Sequence, residues 1–389
     1  MHCSKRMERL SAPGLFAMLL QIKRELADRG TDVIDLSVGS PDNGPAPHVV
    51  EEMTRALQEP GAFRYTISDL PELKAAVAHW YQRRFGVELA PEEITSLLGS
   101  QEGLGHIGLC LVDPGDVILA PDPGYPVFHT GAEVADGSLY LVPQRRENGY
   151  VMDLRDIPED VARRAKLLIV SYPNNPTAAL APESFYHDLV AFARQYDVAV
   201  LHDNAYCELV FDGRRTGSFL QVPGARKVGV EFNSLSKTYG FAGARMGFAM
   251  GNREIVDRIA TLKSHLDYGA FLPVQRGAIA ALTGPQDSVD RVRQTYERRR
   301  DLLCDGLKAA GWTMDKPAAT MFVWAPVPGR YTTTMEFVRD LVERSGVLVS
   351  PGDSFGPGGE GYVRMALVQP EDRLAVAVQR VAACGILRP

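Results

Sequence analysis

The sequence predicts an α/β protein with a mostly parallel central sheet, helices on both faces of that sheet, and a smaller α+β domain. Between about residues 48 and 280, helical and strand-like segments alternate along the chain. Three strand-like segments are continuous apolar runs that end in polar, proline or glycine residues, which is typical of buried parallel strands. After about residue 284 the alternation gives way to a long charged helix followed by further strands.

Length and composition favour two domains. The chain has 389 residues, of which 45% are apolar and 23% charged, an ordinary composition for a globular protein. A chain of this length usually exceeds what a single hydrophobic core organises. We predict a large domain over residues 46–284 and a small domain formed by both chain ends, residues 1–45 and 285–389.

Charge and cysteine usage exclude several classes of protein. A net charge of −6 disfavours nucleic-acid binding, because phosphate binders need a basic surface. No apolar run approaches the roughly 20 residues of a membrane span, and the first residues lack the apolar stretch of a secretory signal. The five cysteines are scattered and none forms a CxxC pair. We therefore predict free thiols, no metal site and a cytoplasmic location.

The first predicted elements are helices and one short strand. Leu15 to Arg29 has apolar residues at helical spacing and predicts the first helix, which we expect to pack with the small domain. VIDLSVGSPDNGP predicts a short strand that enters a loop. LPELKAAVAHWYQRRFG predicts a helix that ends at Gly86. SQEGLGHIGLCLV predicts a helix that begins after a serine.

The next segments predict the sheet and the small domain. DVILAPDPGYP, KLLIVSYPNNPT and VAVLHDNAYCELV predict parallel strands, whose carboxyl ends meet at one edge of a sheet, where ligands bind. The polar clusters Asp122–Tyr125, Asn174–Thr177 and Asp203–Tyr206 are therefore expected to gather at that edge. Beyond residue 284, DRVRQTYERRRDLLCDGLKAAG predicts a helix, and we expect strands in TMFVWAPV, EFVRDLVERSGVLVSPG and EGYVRMALV.

The segment NSLSKTYGFAGARMGF, residues 233–248, contains two cations and no acidic residue. Burial lowers the pKa of a lysine, and a neutral Lys237 amine is a nucleophile toward carbonyl groups. Arg245, with the hydroxyls of Ser234 and Ser236, suits a phosphate monoester. Pyridoxal phosphate (PLP) is an aldehyde with a phosphate, and enzymes hold it as a lysine Schiff base. Two exposed cations on a surface loop are the alternative.

Four residues at the predicted strand ends fit the same cofactor. Asp203 follows an apolar strand, where a carboxylate needs a cationic partner such as a protonated pyridine nitrogen; a helix cap or turn is its alternative. Tyr206 and Asn175 are placed to hydrogen-bond the phenolic oxygen, and Tyr125 to stack on the ring. Ordinary packing and an Asn-Pro turn are the alternatives for these three.

Two further positions indicate anion binding. Ser100 and Gln101 begin a predicted helix, whose first N–H groups form a site for phosphate. Arg364 lies within a strand among apolar neighbours, where a guanidinium needs an anion. A substrate carboxylate gripped by two parallel hydrogen bonds fits that position, and a structural salt bridge is the alternative.

The chain resembles a known family, the class I and II aminotransferases, which are fold-type-I PLP-dependent enzymes. The resemblance runs from LSVGSPD to the C-terminal strands, and its order and spacing match throughout. The matching segments are YTISDLPEL, GSQEGL, DPGYPVF, YPNNPT, HDNAYCEL, SLSKTYGFAGARMGF and VRMAL. It implies a fold-type-I PLP-dependent transferase that moves an amino group from an L-amino acid to a 2-oxo acid by a ping-pong mechanism.

The resemblance also implies a role for each matching position. Lys237 is implied to form the Schiff base and to shuttle the proton. Asp203 is implied to pair with the pyridine nitrogen, and Arg364 with the substrate carboxylate, beside Asn175 and the Gly39 backbone. Tyr65 is implied to reach the cofactor phosphate of a neighbouring subunit, which predicts a homodimer with shared sites. The other implied cofactor contacts are Asn175 and Tyr206 to the phenolic oxygen, Tyr125 to the ring, and Ser100, Gln101, Ser234, Ser236 and Arg245 to the phosphate.

The resemblance leaves the substrate open. GSQEGL, PNNPT and HDNAY resemble bacterial LL-diaminopimelate aminotransferases, whereas KSHLDYGAFLPVQ and TMFVWAPVPGRY resemble alanine and glutamate aminotransferases equally well. FAGAR, with Ala244 before the arginine, replaces the commoner MAGWR, and YTIS lacks the glutamate that plant-type diaminopimelate enzymes carry. KSHLDYGAFLP contains no arginine, which disfavours a distal-carboxylate clamp there.

Two other functions share parts of the pattern. A PLP-dependent C–S lyase or a cyclopropane-carboxylate-synthase-like enzyme uses the same lysine, aspartate and arginine. A regulator that senses PLP needs an N-terminal DNA-binding domain, whereas about 14 residues precede the first predicted helix, so we do not expect one.

Overall fold

A computed structural model of the chain describes residues 3–10 and 15–387. Within that part of the chain the helices are α1 Lys5–Arg9, α2 Leu15–Asp28, α3 Pro47–Ala56, α4 Pro71–Phe85, α5 Ser100–Leu111, α6 Val127–Val134, α7 Glu159–Ala162, α8 Glu183–Tyr196, α9 Ala225–Val228, α10 Leu235–Thr238, α11 Arg253–Leu266, α12 Leu272–Thr283, α13 Asp287–Ala309, α14 Thr334–Ser345 and α15 Glu371–Ala383. Short 3-10 turns lie at Pro91–Glu93, Arg146–Asn148, Leu154–Asp156, Phe219–Gln221, Gly352–Phe355 and Pro357–Gly359.

The strands form three sheets. They are β1 Ile34–Asp35, β2 Ile94–Leu97, β3 Val117–Asp122, β4 Ser138–Pro143, β5 Ala165–Ser171, β6 Ala199–Asp203, β7 Gly229–Ser234, β8 Gly247–Gly251, β9 Phe322–Pro326, β10 Val347–Leu348, β11 Ser350–Pro351 and β12 Tyr362–Ala366. The largest sheet has seven strands in the order β2-β8-β7-β6-β5-β3-β4. Neighbours from β7 to β4 run parallel, and β8 is antiparallel to both of its neighbours. The mostly parallel central sheet is thus confirmed.

Helices cover both faces of this sheet because its strands are apolar on both sides. Along β5, Leu168 and Val170 pack into one hydrophobic cluster, together with α4, α8 and α12. Leu167 and Ile169 point the opposite way, into a cluster with α5, α6 and α11. Successive side chains of a strand alternate between faces, so a continuous apolar run supplies two cores at once.

A second core forms around the three-stranded antiparallel sheet β11-β12-β9. It contains apolar residues of β9, β12, α13, α14 and α15. It also takes in Tyr206, Leu209 and Phe211, from the segment that follows β6. The chain after β6 therefore leaves the large sheet and packs into the core of the smaller one.

Several helix predictions are confirmed. Helix α4 ends at Phe85, and Gly86 takes the left-handed conformation that ends such helices, with φ 67°. Helix α5 begins at Ser100. Leu19 and Leu26 of α2 pack with Val342 and Leu348, so the N-terminal helix does pack with C-terminal elements.

Two predictions about secondary structure are wrong. The segment EFVRDLVERS belongs to helix α14 and is not a strand, because Phe337, Val338, Leu341 and Val342 recur at helical spacing and are all buried. The helix that begins at Leu15 is not the first one either, because α1 precedes it. Ser4 caps the N-terminus of α1 by accepting a hydrogen bond from the Met7 N–H. Among the described residues, no helix is long and apolar enough to cross a membrane. The division at residues 46 and 284 stays a prediction.

Candidate active site

A cleft of about 370 Å³ opens at the carboxyl ends of β5 and β6, between the large sheet and β12. Every predicted site residue except Tyr65 lines this cleft. They are Gly39, Ser100, Gln101, Tyr125, Asn175, Asp203, Tyr206, Ser234, Ser236, Lys237, Arg245 and Arg364. Segments separated by more than three hundred residues thus meet at one place.

Lys237 lies on α10, which directly follows β7, and its Nζ donates a hydrogen bond to the Gly39 carbonyl oxygen at 3.0 Å. Burial lowers its pKa to about 8, helped by repulsion from Arg364 and Arg245 and opposed by attraction to Asp203. With this pKa, about a tenth of the amine is neutral at pH 7, and the neutral amine is the nucleophilic form. A side chain at Gly39 would begin 2.6 Å from the Phe322 ring, so this close approach requires glycine.

Asp203 is the last residue of β6 and is buried. Its Oδ1 has no hydrogen-bond partner within the described residues. Burial raises the pKa of the carboxyl group to about 6, against the lowering effects of His202, the Ala205 N–H and Lys237. A buried carboxylate oxygen without a donor is costly, and a cationic N–H group in the cleft would relieve that cost.

Arg245 forms one wall of the cleft and adopts φ 59°, which is uncommon for a residue with a side chain. Its Nη1 donates to the Ala242 carbonyl oxygen at 2.9 Å and its Nη2 to the Leu98 carbonyl oxygen at 3.2 Å. Its side chain is exposed, and these two hydrogen bonds go to neutral carbonyl groups and not to a carboxylate. A Cβ on Gly99 (φ +78°) would lie 2.4 Å from Arg245 Nη2, so glycine is required for the two to meet.

The same wall carries hydroxyl and N–H groups that suit an anion. Ser234 and Ser236 are buried at the start of α10, where the Ser234 Oγ accepts a hydrogen bond from the Ser236 N–H at 3.2 Å. Ser100 and Gln101 are the first residues of α5, whose N-terminal N–H groups attract negative charge. With Arg245, this wall could hold a phosphate.

Arg364 lies in the middle of β12 and its side chain is 2% exposed. Its Nη1 donates to Asn175 Oδ1 at 2.9 Å and its Nη2 to the Ser37 carbonyl oxygen at 2.8 Å. Its Nε has no partner, and no carboxylate among the described residues pairs with it. Burial lowers the pKa of this guanidinium to about 10, so it stays charged at neutral pH and lacks an anion.

Three polar side chains line the space between these walls. Tyr125 is half-buried, and its hydroxyl donates to Gln101 Oε1 at 3.2 Å. Tyr206 is buried, and the Lys237 Nζ lies 5.8 Å from the centre of its ring. Burial raises the pKa of both phenols, which keeps them protonated as donors. Asn175 is buried and uses its Oδ1 on Arg364.

Tyr65 lies outside the cleft. Its side chain is 85% exposed, and its ring contacts that of Tyr268 at 5.5 Å between centres. The predicted contact with a neighbouring subunit's cofactor therefore stays a prediction. Asp122 ends β3 and does not line the cleft; its carboxylate accepts a hydrogen bond at 2.9 Å from the N–H of Gly358, in the turn Pro357–Gly359.

The sequence reasoning missed the residues that hold Arg364. The Phe322 and Phe355 rings lie on it, with centres 4.2 and 4.6 Å from the guanidinium carbon. Ser350 Oγ lies 3.5 Å from its Nη2. Phe322 lies on β9, which pairs with β12, and Ser350 on β11 is directly opposite Arg364. The continuous apolar run in TMFVW predicted a strand, but the register that brings Phe322 to Arg364 cannot be predicted from that run.

In this fold, a lysine amine of lowered pKa lies in a cleft that Arg245 and Arg364 also line. A match to the family model "Aminotransferase class I and II" covers residues 31–381. The chain therefore belongs to the aminotransferase class I and II family, whose members depend on PLP. Its fold is fold-type I, and it is a transaminase.

Individual relatives agree with this assignment. The LL-diaminopimelate aminotransferase of Moorella thermoacetica is 47% identical, with 95% of each chain covered. Substrate-bound BacF of Bacillus subtilis superposes with a TM-score of 0.94 at 35% identity, covering 98% of each chain. A probable N-succinyldiaminopimelate aminotransferase of Thermus thermophilus has a TM-score of 0.89 at 37% identity, covering 95% of this chain and all of that one. These similarities support transamination over the lyase and synthase alternatives.

Proposed function

We propose that the cleft binds PLP between Lys237 and the wall formed by Arg245. The cofactor's phosphate would neutralise Arg245, and its pyridine nitrogen would meet the unpaired Oδ1 of Asp203. Without the cofactor, neither the Arg245 guanidinium nor the Asp203 Oδ1 has a charged hydrogen-bond partner among the described residues. The donor set therefore fits the cofactor at both ends, which is the fit that the resemblance in sequence implied.

The remaining proposed contacts follow from position in the cleft. Ser100, Gln101, Ser234 and Ser236 would hold the phosphate beside Arg245. Tyr206 and Asn175 would donate to the phenolic oxygen, and Tyr125 would cover the ring.

Lys237 is proposed as the catalytic group. When bound, PLP supplies an aldehyde and an electron-withdrawing ring. The Lys237 amine, with its pKa lowered to about 8, would hold the cofactor through that aldehyde and would accept the proton of the substrate Cα. The Gly39 carbonyl oxygen, 3.0 Å from Nζ, orients the amine toward the cleft.

One observation carries the proposal that the substrate is an amino acid. Arg364 is a fully buried guanidinium with an unpartnered Nε and no carboxylate partner in the described chain. A substrate α-carboxylate would supply the missing charge through two hydrogen bonds. The cavity side of this guanidinium is bounded by Asn175 and Gly39, which are proposed to complete the carboxylate site.

We propose LL-diaminopimelate as the amino donor and a 2-oxo acid as the acceptor. The relatives named LL-diaminopimelate aminotransferase are 40–47% identical over nearly the whole chain, and the sequence pattern HDNAY agrees with them. The test is a donor screen with LL-diaminopimelate, alanine, glutamate, aspartate and aromatic amino acids against 2-oxoglutarate and pyruvate. We expect LL-diaminopimelate to give the highest kcat/KM.

The outcomes of this screen separate the proposals. A higher kcat/KM with alanine or glutamate would contradict the substrate while leaving transamination intact. Ammonia and pyruvate produced from the donor without amino transfer would contradict transamination and favour a PLP-dependent lyase.

We propose that two copies of the chain form a homodimer with shared active sites. Phe63, Tyr65 and Ile67 are 78%, 85% and 70% exposed, next to the exposed rings of Tyr268 and Phe271. A contiguous apolar patch of this kind usually marks an interface. In the dimer, the partner's Tyr65 would reach the phosphate wall.

Mixed dimers test the shared sites. Tyr65→Ala and Lys237→Ala subunits should each be inactive alone, and random mixing should restore about a quarter of the activity, because half of the dimers then carry one intact site. No recovery in a mixture shown to contain mixed dimers would contradict shared sites. We also propose that residues 46–284 form the large domain and that both chain ends form the small one, since these two parts of the chain supply most of the residues of two different hydrophobic clusters.

A further inference from the structure

His202 immediately precedes Asp203 on β6, and its ring lies on the opposite side of the sheet from the cleft. It is fully buried, as is Glu231 on β7. The His202 Nδ1 lies 2.8 Å from Glu231 Oε2, and its Nε2 lies 3.0 Å from the Tyr172 carbonyl oxygen. None of the functions proposed above uses this pair.

The hydrogen bonds that Glu231 accepts are of the kind that stabilise a carboxylate. Its Oε1 receives hydrogen bonds from the Tyr81 hydroxyl at 2.8 Å and the Ser218 hydroxyl at 2.9 Å. Each hydroxyl already accepts a hydrogen bond, from Asn233 Nδ2 and from the Leu220 N–H respectively, so each has its own proton free for Glu231. Its Oε2 accepts from the Phe219 N–H at 2.8 Å.

The surroundings of His202 then require two protons on its ring. A carboxylate and a backbone carbonyl oxygen can only accept hydrogen bonds. One lies at hydrogen-bond distance from each ring nitrogen, so both nitrogens must donate. The Tyr186 hydroxyl is a longer contact, 3.3 Å from Nε2. A ring with two N–H groups is an imidazolium, and Glu231 is its buried counterion.

We propose that His202 is a buried imidazolium, held by Glu231, that acts as a positioning residue by keeping the adjacent Asp203 carboxylate ionised. His202 directly precedes Asp203 on β6, and its charge lowers the pKa of Asp203 more than the charge of Glu231 raises it. The inference rests on the proposed function in one respect, that Asp203 meets the pyridine nitrogen of PLP.

This charge has a consequence for the proton that Asp203 and the pyridine nitrogen share. A cation on the far side of the carboxylate repels that proton, so the proton stays on the ring nitrogen. The ring is then a better acceptor of electrons. His202 would thus act on the reaction without touching the cofactor or the substrate.

Other titratable groups around His202 are neutral at physiological pH. Burial, with the charge of Glu231, holds the pKa of Tyr81 and of Tyr186 well above the ordinary value. Burial also raises the pKa of the Cys207 thiol, which lies near Glu231. It likewise raises the pKa of the Tyr172 hydroxyl, which accepts its hydrogen bonds from groups other than His202. Glu231 and Asp203 are therefore the charges that face the imidazolium from β7 and from its own strand.

The first experiment measures the protonation of His202 in the full chain. In protein labelled with ¹⁵N-histidine, the His202 signals are assigned by their loss in His202→Asn. We expect both ring nitrogens to carry protons, because each lies at hydrogen-bond distance from an acceptor. Glu231→Gln should remove one of them. A wild-type ring with one unprotonated nitrogen at neutral pH would overturn the inference.

The second experiment measures Asp203 itself, by ¹³C NMR of its carboxyl carbon in protein without added PLP. The midpoint of its titration should rise by about one pH unit in His202→Asn, a tenfold change in proton affinity. Tyr186→Phe is the matched control, because it removes a buried hydroxyl beside the same ring but leaves both acceptors. Its midpoint should equal that of the wild type. Equal midpoints in all three proteins would contradict the inference.

PLP is then added to the same proteins to separate this inference from the proposed function. With PLP labelled at the ring ¹⁵N, we expect a protonated ring nitrogen in the wild type and Tyr186→Phe, and partial transfer of that proton to Asp203 in His202→Asn. A wild type that does not bind PLP would defeat the proposed function and leave the His202 measurement standing. Bound PLP with the same ring protonation in all variants would defeat the inference alone.

Discussion

Two buried arginines in this protein are compensated in opposite ways. Arg300, on α13, has a side chain 2% exposed and pairs with Asp212 and Asp301, each at 2.8 Å. Arg364, on β12, is equally buried, but an amide, a carbonyl and a hydroxyl oxygen and two aromatic rings surround it. Both are guanidinium groups away from water, yet one of them has no carboxylate partner in the described chain.

The difference distinguishes a structural charge from a functional one. An unpaired buried charge destabilises a fold, so a chain retains one where a ligand completes it. Neither Lys237 nor Arg245 has a carboxylate within salt-bridge distance in the part of the chain that the structure describes. The three cations of the cleft thus form a region that is electrostatically incomplete, whereas the α13 region is complete.

The largest expected effect comes from removing the lysine of the incomplete region. Lys237→Ala should lower kcat by about 10⁴-fold, since it removes the proposed base and nucleophile, and should abolish the visible absorbance of bound PLP at neutral pH. The measurements are steady-state transamination and an absorption spectrum. Lys316→Ala is the control, because Lys316 pairs with Asp301 and Asp305 outside the cleft, and its kcat should be unchanged. An unaltered spectrum in Lys237→Ala would contradict the assignment.

Each region contains a carboxyl group, Asp203 in the cleft and Asp212 beside α13. Their contributions to protein stability should change with pH in opposite directions. Burial raises the pKa of Asp203 from 3.8 to about 6, so without PLP its contribution to stability is full below pH 4 and is lost as the pH rises through 6. Asp203→Asn should remove this loss and raise the free energy of unfolding at pH 8 by about 3 kcal/mol, at about 1.4 kcal/mol per pKa unit.

Asp212→Asn should show the reverse. Arg300 lowers the pKa of Asp212, so that carboxylate contributes stability above its unfolded pKa and the contribution is lost as the pH falls. Urea unfolding of both variants between about pH 4 and pH 8 measures the two slopes. Slopes of the same sign would contradict the comparison.

The smallest expected effects come from the arginines themselves, and they separate binding from stability. Arg364→Met should raise KM for the amino donor about thirtyfold, because it removes a charged hydrogen bond worth about 2 kcal/mol. It should also raise the stability of the PLP-free protein by about 1 kcal/mol, because it replaces a buried charge with an apolar side chain. Arg300→Met should lower stability by about 2 kcal/mol with KM unchanged. Kinetics and urea unfolding of both variants measure these. A destabilised Arg364→Met would mean that its charge serves the fold.

The chemistry of the site was predictable where it depends on one residue and its place on a strand. Asp203 follows an apolar strand, and the rule that ligands bind at the carboxyl ends of parallel strands placed it in the cleft with Asn175 and Tyr206. Lys237 was predicted from a segment that lacks acids. These inferences need no knowledge of how distant strands pair.

The surroundings of Arg364 depend on such pairing and were not predictable. Phe322 and Ser350 reach it through the register of β9 and β11 against β12, which the sequence of each strand leaves open. The sequence EFVRDLVERS was predicted as part of a strand, although its apolar residues recur at helical spacing. Helix α14 forms because that spacing buries one face.

The segment after β6 determines how the chain can be divided. Tyr206, Leu209 and Phe211 lie beyond the strand that carries Asp203 and are buried with the residues of β9 and β12. A recombinant fragment covering residues 46–284 would present those side chains to water, and one covering residues 285–389 would have a cavity in their place. Neither fragment would be a self-contained folding unit. Expression and fusion of this enzyme therefore require both parts of the chain together.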